Sequence, residues 1–260
     1  MELLEVKNLS IRFGGLVAVD DLDFTMERGK ITSLIGPNGA GKTTVINMLT
    51  GFYTPTSGEI YIDGQNTKGF STTDYVQKGF ARTFQNIRLF PSLTVEENIL
   101  IGMQHRIEYG SFLSLFPNKK KKECEKLAKE EATKILKRIG LEEHRYEKAT
   151  SLPYGLQRKL EIGRALAAQP KILLLDEPAA GMNPAEKAEL SKFIKSLLND
   201  VEGILLIEHD MKVIMSISDK IIVLNHGAKI AEGKPEEVQT NPEVIEAYLG
   251  KGGIHNAARS

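Results

Sequence analysis

An eight-residue segment, rich in glycine and ending in lysine and threonine, constrains this chain more than any other feature of its sequence. Gly36–Thr43 reads GPNGAGKT and fits the pattern G-x-x-x-x-G-K-[ST] at every fixed position. The apolar segment Ile31–Ile35 precedes it, and Thr43–Leu49 follows with helical character. Strand, glycine loop and helix in this order are typical of a phosphate-binding loop. The sequence therefore predicts an α/β fold with this loop at the end of a strand.

The residue types in this loop are those that phosphate binding requires. Glycines let successive backbone N–H groups point inward at phosphate oxygens, and the helix that follows adds its positive end. Lys42 supplies a charge for the β- and γ-phosphates, and the Thr43 hydroxyl can coordinate Mg²⁺. We therefore expect the nucleotide to be held by Gly36, Pro37, Asn38, Gly39, Ala40, Gly41, Lys42, Thr43 and Thr44.

A second segment supplies the acidic groups that such a loop needs. Ile172–Glu177 is an apolar strand that ends in two carboxylates. Asp176 is predicted to contact Mg²⁺, directly or through water, and Glu177 to orient and polarise the attacking water. Taken alone, the pair is also compatible with a solvated acidic turn, and the glycine loop is what favours the catalytic interpretation.

The order of the predicted elements divides the chain into a core and a helical part. Short apolar runs at Ile172–Leu175 and Ile204–Ile207, with the helical segment Ala185–Leu198 between them, predict a parallel sheet. We expect a nucleotide-binding core from 1–85 and 160–250, and a helical subdomain from 86–159. The subdomain is predicted to carry an insertion near 107–122, and 251–260 is predicted to be a loose tail.

Charge and composition exclude several classes of protein. Lys plus Arg and Asp plus Glu both number 34, so the chain has no basic surplus of the kind that nucleic-acid binders carry. The apolar runs are far shorter than the ~18 residues of a membrane span. A single cysteine, Cys124, excludes an internal disulfide, and the first residues show no secretory signal. These features predict a protein of a reducing, cytosolic compartment.

Beyond the loop and the carboxylates, the chain resembles the ATPase subunits of ABC transporters from about Leu3 to Leu249. That family has a RecA-like P-loop NTPase core with a parallel sheet, an N-terminal antiparallel β subdomain and a helical subdomain. The resemblance implies that Phe13 stacks on adenine, that Gln85 contacts the metal and water, and that His209 reaches the γ-phosphate. Each of these three, taken singly, is more often an ordinary packing or loop residue, and the series of motifs is what favours the functional interpretation.

Two family segments depart from the usual pattern. The signature segment reads Leu152-Pro153-Tyr154-Gly155-Leu156, where the family usually has Leu-Ser-Gly-Gly-Gln. The helix predicted to follow it is Lys159–Ala168. In the family this segment of one subunit closes over ATP held by the other. Because Pro153 has neither a hydroxyl nor an N–H, Gly155 is the best candidate for the surviving contact in trans, and weaker closure is expected. Asn183 similarly stands where the family has the D-loop aspartate.

Further stretches resemble one branch of the family, the ATPases of branched-chain amino acid importers. They include Arg82–Gln85, Leu93–Asn98 and the tail Val244–Gly250. Importers for urea or short amides share these features and remain an alternative. In this branch Leu89-Phe90-Pro91 would line the groove that receives a helix of the membrane subunit, although simple core packing explains the same residues equally well.

The resemblance implies an ATP- and Mg²⁺-dependent subunit that energises an importer. Thr43, Gln85 and Asp176 would hold the metal, Glu177 would activate water, and Lys42 and His209 would stabilise charge on the γ-phosphate. One P-loop and one signature segment predict that a second ATPase subunit, identical or a sister, completes two sites. Permease subunits, and through them a solute-binding protein, are the expected partners at the cytoplasmic face of the membrane. A soluble ABC ATPase acting on nucleic acid and a P-loop kinase or GTPase are the less favoured alternatives.

Overall fold

The computed structural model describes residues 2–104 and 119–249, and it forms two compact units. The first comprises the chain up to Phe80 and again from Lys171, and the second is Ala81–Pro170. The sequence analysis divides the chain at 85/86 and 159/160, so the observed units differ at both boundaries. The predicted insertion lies mostly outside the described residues, and the predicted tail lies wholly outside them. Within the described ranges no helix has the length and apolarity needed to cross a membrane.

An antiparallel sheet opens the first unit. Its strands are β1 (Glu2–Phe13), β2 (Leu16–Glu27), β4 (Ser57–Ile62) and β5 (Gln65–Asn66), in the order β2-β1-β4-β5. Strands β1 and β2 pair from Glu2 opposite Glu27 to Phe13 opposite Leu16, with several register shifts. Buried and exposed residues partly alternate along both, as expected where one face of a sheet is covered.

A second sheet of six strands carries the phosphate-binding loop. Its strands are β3 (Ile31–Ile35), β6 (Phe80–Arg82), β7 (Ile172–Asp176), β8 (Gly203–Ile207), β9 (Lys220–Asn225) and β10 (Ala228–Gly233). Their order is β10-β9-β3-β8-β7-β6, and β9, β3, β8 and β7 run parallel to each other. Every residue of β3, β7 and β8 is buried, because elements pack on both faces of this sheet. The parallel α/β fold predicted from the alternating runs is confirmed.

Helices and two apolar clusters complete the first unit. The helices are α1 (Lys42–Leu49), α2 (Thr72–Gln77), α6 (Pro184–Ser196), α7 (Met211–Ile217), α8 (Pro235–Gln239) and α9 (Pro242–Leu249). The larger cluster joins the two sheets and α1, with Leu4, Phe24, Ile46 and Leu205 among its members. The smaller one packs α7, α8 and α9 on the other face of the parallel sheet. The core therefore fixes both ends of the loop between β3 and α1.

The described residues of the second unit contain three α-helices: α3 (Val95–Gly102), α4 (Lys119–Ile139) and α5 (Tyr154–Leu166). A capping box starts α3, since the Thr94 side chain accepts from the Glu97 N–H and the Glu97 carboxylate accepts from the Thr94 N–H. Helix α5 begins directly after Pro153, whereas the sequence analysis places its start at Lys159. Because α5 packs on α3 and α4, it belongs to this unit rather than to the core.

Candidate active site

Backbone conformation explains the glycines of the loop between β3 and α1. Gly36, Gly39 and Gly41 have φ angles of 151°, 81° and 100°, a region that side chains disfavour. A Cβ atom would lie 2.2 Å from the Leu224 carbonyl oxygen at Gly36 and 2.7 Å from the Ala18 carbonyl oxygen at Gly41. Conformation and space both require glycine there, so the loop is shaped by the strand β9 and by β2 beside it.

Lys42 lies at the start of α1 and folds back over the loop. Its Nζ donates to the carbonyl oxygens of Gly36 at 2.6 Å and Pro37 at 3.0 Å. Burial lowers the pKa of Lys42, and the nearby charges of Glu177 and Asp176 offset part of that effect. The ammonium group is thus shared between the loop and the two carboxylates, and phosphate oxygens could replace the two carbonyls.

The two predicted acidic residues lie at the end of β7. Asp176 is the last residue of the strand and is 6% exposed. Glu177 has a φ of 47°, in the left-handed region that is uncommon for residues other than glycine. Its N–H donates to the Ile207 carbonyl oxygen at 2.9 Å, and its Oε2 lies 3.6 Å from His209 Nδ1. Neighbouring strand β8 therefore holds Glu177 in this conformation and brings it beside His209.

The donor set near the loop fits Mg²⁺. Thr43 is exposed in the first turn of α1, and Asp176 presents a carboxylate at the adjacent strand end. In the part of the chain that the structure describes, no three His, Cys, Asp or Glu side chains form a metal cluster. Mg²⁺ commonly binds through one hydroxyl or carboxylate and completes its shell with water and substrate phosphates. A hydroxyl with a single carboxylate is therefore a suitable site for Mg²⁺ bound together with a nucleotide.

Phe13 lies at the end of β1 and is 44% exposed. Its ring meets that of Tyr53 edge to face, with centroids 5.2 Å apart. A half-exposed aromatic ring of this kind can serve as a stacking platform. Adenine stacking on Phe13 stays a prediction.

Gln85 belongs to the second unit and lies in a loop that is held by side chains of α5. The fully buried guanidinium of Arg158 donates to the carbonyl oxygens of Phe84 and Gln85, at 2.8 Å each, and to Glu161 Oε2 at 2.7 Å. Glu161 Oε1 accepts from the Arg88 N–H at 3.0 Å. The buried pair of Arg158 and Glu161 thereby attaches the loop from Phe84 to Arg88 to helix α5.

The signature segment has an open helix N-terminus. Pro153 is the N-cap residue of α5, with φ −54° and ψ 151° and without a side-chain cap. Gly155 lies in the first turn, where helices leave N–H groups without an intrahelical partner, and a Cβ placed on it would meet nothing within 4 Å. At the D-loop position, Asn183 caps α6 by accepting from the N–H groups of Ala185 and Glu186. Its substitution for aspartate thus keeps the cap.

A groove of about 420 Å³ lies on the surface of the second unit. Arginines and aromatic rings alternate along it: Arg82 and Arg88 lie over the Phe84 ring, and Arg164 lies over the Phe90 ring. Phe90 is 44% exposed. Of the two interpretations of Phe90, this exposure favours a docking role over core packing.

Sequence reasoning missed contacts made by residues that lie outside the recognised motifs. Burial raises the pKa of Tyr248 on α9, and the nearby Gly36 N–H offsets part of that rise, so the C-terminal helix lies close to the phosphate loop. Arg158 and Glu161 were also missed, although opposite charges three residues apart on a predicted helix were a usable signal. No local signal links Tyr248 to Gly36, because the contact joins opposite ends of the chain.

Comparison with known proteins agrees with this geometry. Residues 19–180 match the family model described as ABC transporter, and residues 228–254 match the model described as branched-chain amino acid ATP-binding cassette transporter. The high-affinity branched-chain amino acid transport ATP-binding protein LivG of Escherichia coli is 48% identical, over 96% of this chain and 98% of that protein. BraF of Pseudomonas aeruginosa, with the same description, is 46% identical over the same shares.

Solved structures give the same result for the fold. An ATP-binding cassette of an ABC transporter in its ADP conformation superposes with a TM-score of 0.83 at 32% identity, covering 96% of this chain and 100% of that one. A nucleotide-free ATP-binding cassette gives 0.83 at 33% identity, with the same coverage. The fold predicted from the P-loop and the later motifs is confirmed.

Proposed function

This chain belongs to the ABC transporter family, and from that premise we propose that it hydrolyses ATP to energise an importer of branched-chain amino acids. The observation that carries the proposal is the convergence of Lys42, Asp176, Glu177 and His209 on the loop between β3 and α1. A loop that only bound phosphate would not need Glu177 to adopt a left-handed backbone conformation and to lie beside His209. The pairing of charge with a positioned base is what hydrolysis requires.

In the proposed reaction, the amides of the loop and the Lys42 ammonium bind the β- and γ-phosphates. Glu177 accepts a hydrogen bond from water and aligns it with the γ-phosphorus, while His209 neutralises charge that develops on the γ-phosphate oxygens. Mg²⁺, held by Thr43, Asp176 and Gln85, would neutralise charge on the phosphate oxygens. Phe13 would bind adenine by stacking.

We propose that two ATPase subunits form the working assembly. The chain contains one P-loop and one signature segment, and Gly155 is partly exposed in the first turn of α5, whose N-cap residue Pro153 supplies no side-chain cap. In a head-to-tail pair, the Gly155 N–H would bind the γ-phosphate held by the other subunit. The second subunit would be an identical copy or a sister chain.

Permease subunits are the proposed membrane partners, docked in the groove beside Phe90. The three arginines that line this groove favour a partner helix that carries acidic residues together with an apolar side chain. Closure of the ATPase pair and its reopening would be transmitted through that helix. The protein would then act at the cytoplasmic face of the membrane, with a solute-binding protein as an indirect partner.

The substrate assignment rests on the described activity of LivG and BraF and on the match of 228–254. Uptake of labelled leucine and of labelled urea, in cells that lack the chain and in cells complemented with it, separates the two candidate substrates. Restoration of leucine uptake alone is expected. Restoration of urea uptake alone would refute the substrate assignment and leave the ATPase assignment untouched.

The decisive experiment for hydrolysis compares the purified protein with its Glu177→Gln variant. Phosphate release with ATP and Mg²⁺ should fall by roughly 100-fold or more in the variant, because the amide cannot accept the water proton. Binding of a fluorescent ATP analogue should change little. Undiminished hydrolysis by the variant, or absence of ATP binding in the wild-type protein, would refute the proposed function.

A further inference from the structure

A buried carboxylate directly before His209 has no role in the reaction described so far. Glu208 follows β8 and is 1% exposed. Among the described residues it forms no ion pair with Lys, Arg or His, and its charge is offset mainly by backbone hydrogen bonds, with a further electrostatic contribution from His209. Burying a carboxylate without a cationic partner is costly, and burial raises the pKa of Glu208 accordingly.

Those hydrogen bonds join two loops of the active site. Glu208 Oε1 accepts from the Ala179 N–H at 2.7 Å, inside the loop that follows Glu177. Glu208 Oε2 accepts from the N–H of His209 at 3.2 Å. One carboxylate thus holds the backbone of both segments that bear the residues proposed for catalysis.

The loop held in this way is a continuous set of turns. The Ala180 N–H donates to the Glu177 carbonyl oxygen at 3.2 Å, and the Met182 N–H donates to the Ala179 carbonyl oxygen at 3.3 Å. The loop is attached to the end of β8 at two points: the Glu177 N–H donates to the Ile207 carbonyl oxygen, and the Ala179 N–H donates to Glu208. A shift of the loop at Ala179 must therefore move Glu208 and, with it, the backbone of His209.

We propose that Glu208 is a positioning residue that couples the loop after Glu177 to His209, so that both segments reach their catalytic positions together. This inference rests on the proposed ATPase function. Glu208 is almost fully buried and is therefore not placed to touch the nucleotide, so its proposed effect is confined to the geometry of Glu177 and His209. It should therefore change the rate of hydrolysis and leave the affinity for ATP unaltered.

The test is Glu208→Gln, measured by steady-state hydrolysis over a range of ATP concentrations. The amide keeps one acceptor oxygen but presents an NH₂ group to the second backbone N–H, so one of the two attachments is lost. We expect kcat to fall roughly 10- to 100-fold with KM within about twofold of the wild-type value. The wild-type protein and Glu177→Gln, assayed in parallel, report separately on the proposed function.

A matched control and a second variant complete the design. Asp74→Asn removes an exposed carboxylate that likewise accepts a backbone N–H, at the start of α2, and should leave kcat unchanged. Glu208→Asp keeps the charge but is one methylene too short to reach both amides, and we expect the same loss of kcat at constant KM. The proposal is overturned if either folded variant keeps kcat within twofold, if KM rises in step with the loss of kcat, or if both variants lose ATP binding or fail to fold.

Discussion

Pro153 shows how a single residue at a helix start affects both stability and chemistry. As the N-cap of α5 it supplies no side-chain acceptor and no N–H. In Pro153→Ser, a serine cap would contribute about 1 kcal/mol, while loss of the proline would cost a similar ~0.4–1 kcal/mol through the unfolded chain. The two effects nearly cancel, so the melting temperature should hardly change. The added hydroxyl and N–H should instead raise the rate of ATP hydrolysis severalfold, measured by phosphate release. Equal hydrolysis by both proteins would show that the hydroxyl is unimportant here.

Phe90 is the residue through which the docking proposal can be tested. Phe90→Asp should abolish transport in reconstituted membranes, because a carboxylate replaces the exposed ring and attracts Arg164 away from the partner. ATP binding by the isolated protein should stay unchanged. The control is Val76→Asp, on α2, which also replaces an exposed apolar side chain by a carboxylate but lies outside the groove. A transporter with this variant should transport normally. Loss of folding in Phe90→Asp alone would support core packing instead.

At the scale of single residues, the sequence predicts best what depends on local chain geometry. The glycines of the loop and the carboxylates at the end of β7 are set by neighbours in the chain, so a short motif suffices. The role inferred for Glu208 and the contact of Tyr248 depend on segments far away in sequence. A single sequence carries no record of such contacts, which is why these residues were missed.

Helix α5 depends on its buried ion pair for more than a contact between two side chains. Arg158→Met should destabilise the protein by about 3–5 kcal/mol, because it leaves the Glu161 carboxylate buried without its cation and frees two carbonyl oxygens. Adding Glu161→Met should recover part of that loss, since two apolar groups need no pairing. Urea unfolding curves of both single variants and the double variant measure these differences. A double variant less stable than either single one contradicts this expectation.

At the scale of elements, type was easier to predict than extent. Strand β3 begins and ends where it is predicted, at Ile31 and Ile35, because Gly29-Lys30 and the glycine loop from Gly36 bound it on both sides. Helix α5 begins at Tyr154, earlier than expected. Gly155 favours a loop in the sequence, but the first turn of a helix tolerates a glycine when a preceding proline fixes the backbone at the helix start. Strands β1 and β2 extend beyond the apolar-rich stretches that predict them, Leu4–Leu9 and Val17–Phe24, since pairing between backbones continues past the covered face.

For the whole molecule, nucleotide binding should be visible as stability. A ligand at 100 times its Kd adds about 2.7 kcal/mol, which corresponds to a rise of roughly 5–10 °C in melting temperature for a chain of this size. ATP with Mg²⁺ should produce such a rise, and EDTA should reduce it. Lys42→Ala should largely abolish the rise, because it removes the charge that meets the phosphates.

The control for that measurement is Lys68→Ala, which removes an exposed lysine from the same unit outside the loop. Its melting temperature should rise with ATP as far as that of the wild-type protein. A full rise in Lys42→Ala would mean that the loop does not hold the nucleotide through this lysine. The comparison uses the difference with and without ATP, so intrinsic effects of each substitution cancel.

The bonds from Lys42 to the carbonyls of Gly36 and Pro37 also bear on how fast spent nucleotide departs. When the phosphate leaves, the Lys42 ammonium is not left without hydrogen-bond acceptors, because the carbonyl oxygens of Gly36 and Pro37 are within reach. One set of hydrogen bonds is exchanged for another, at a net difference of only about 1 kcal/mol for each bond. We therefore expect ADP to be released readily, so that the pace of successive cycles is set by the chemical step and by subunit movement rather than by retained product.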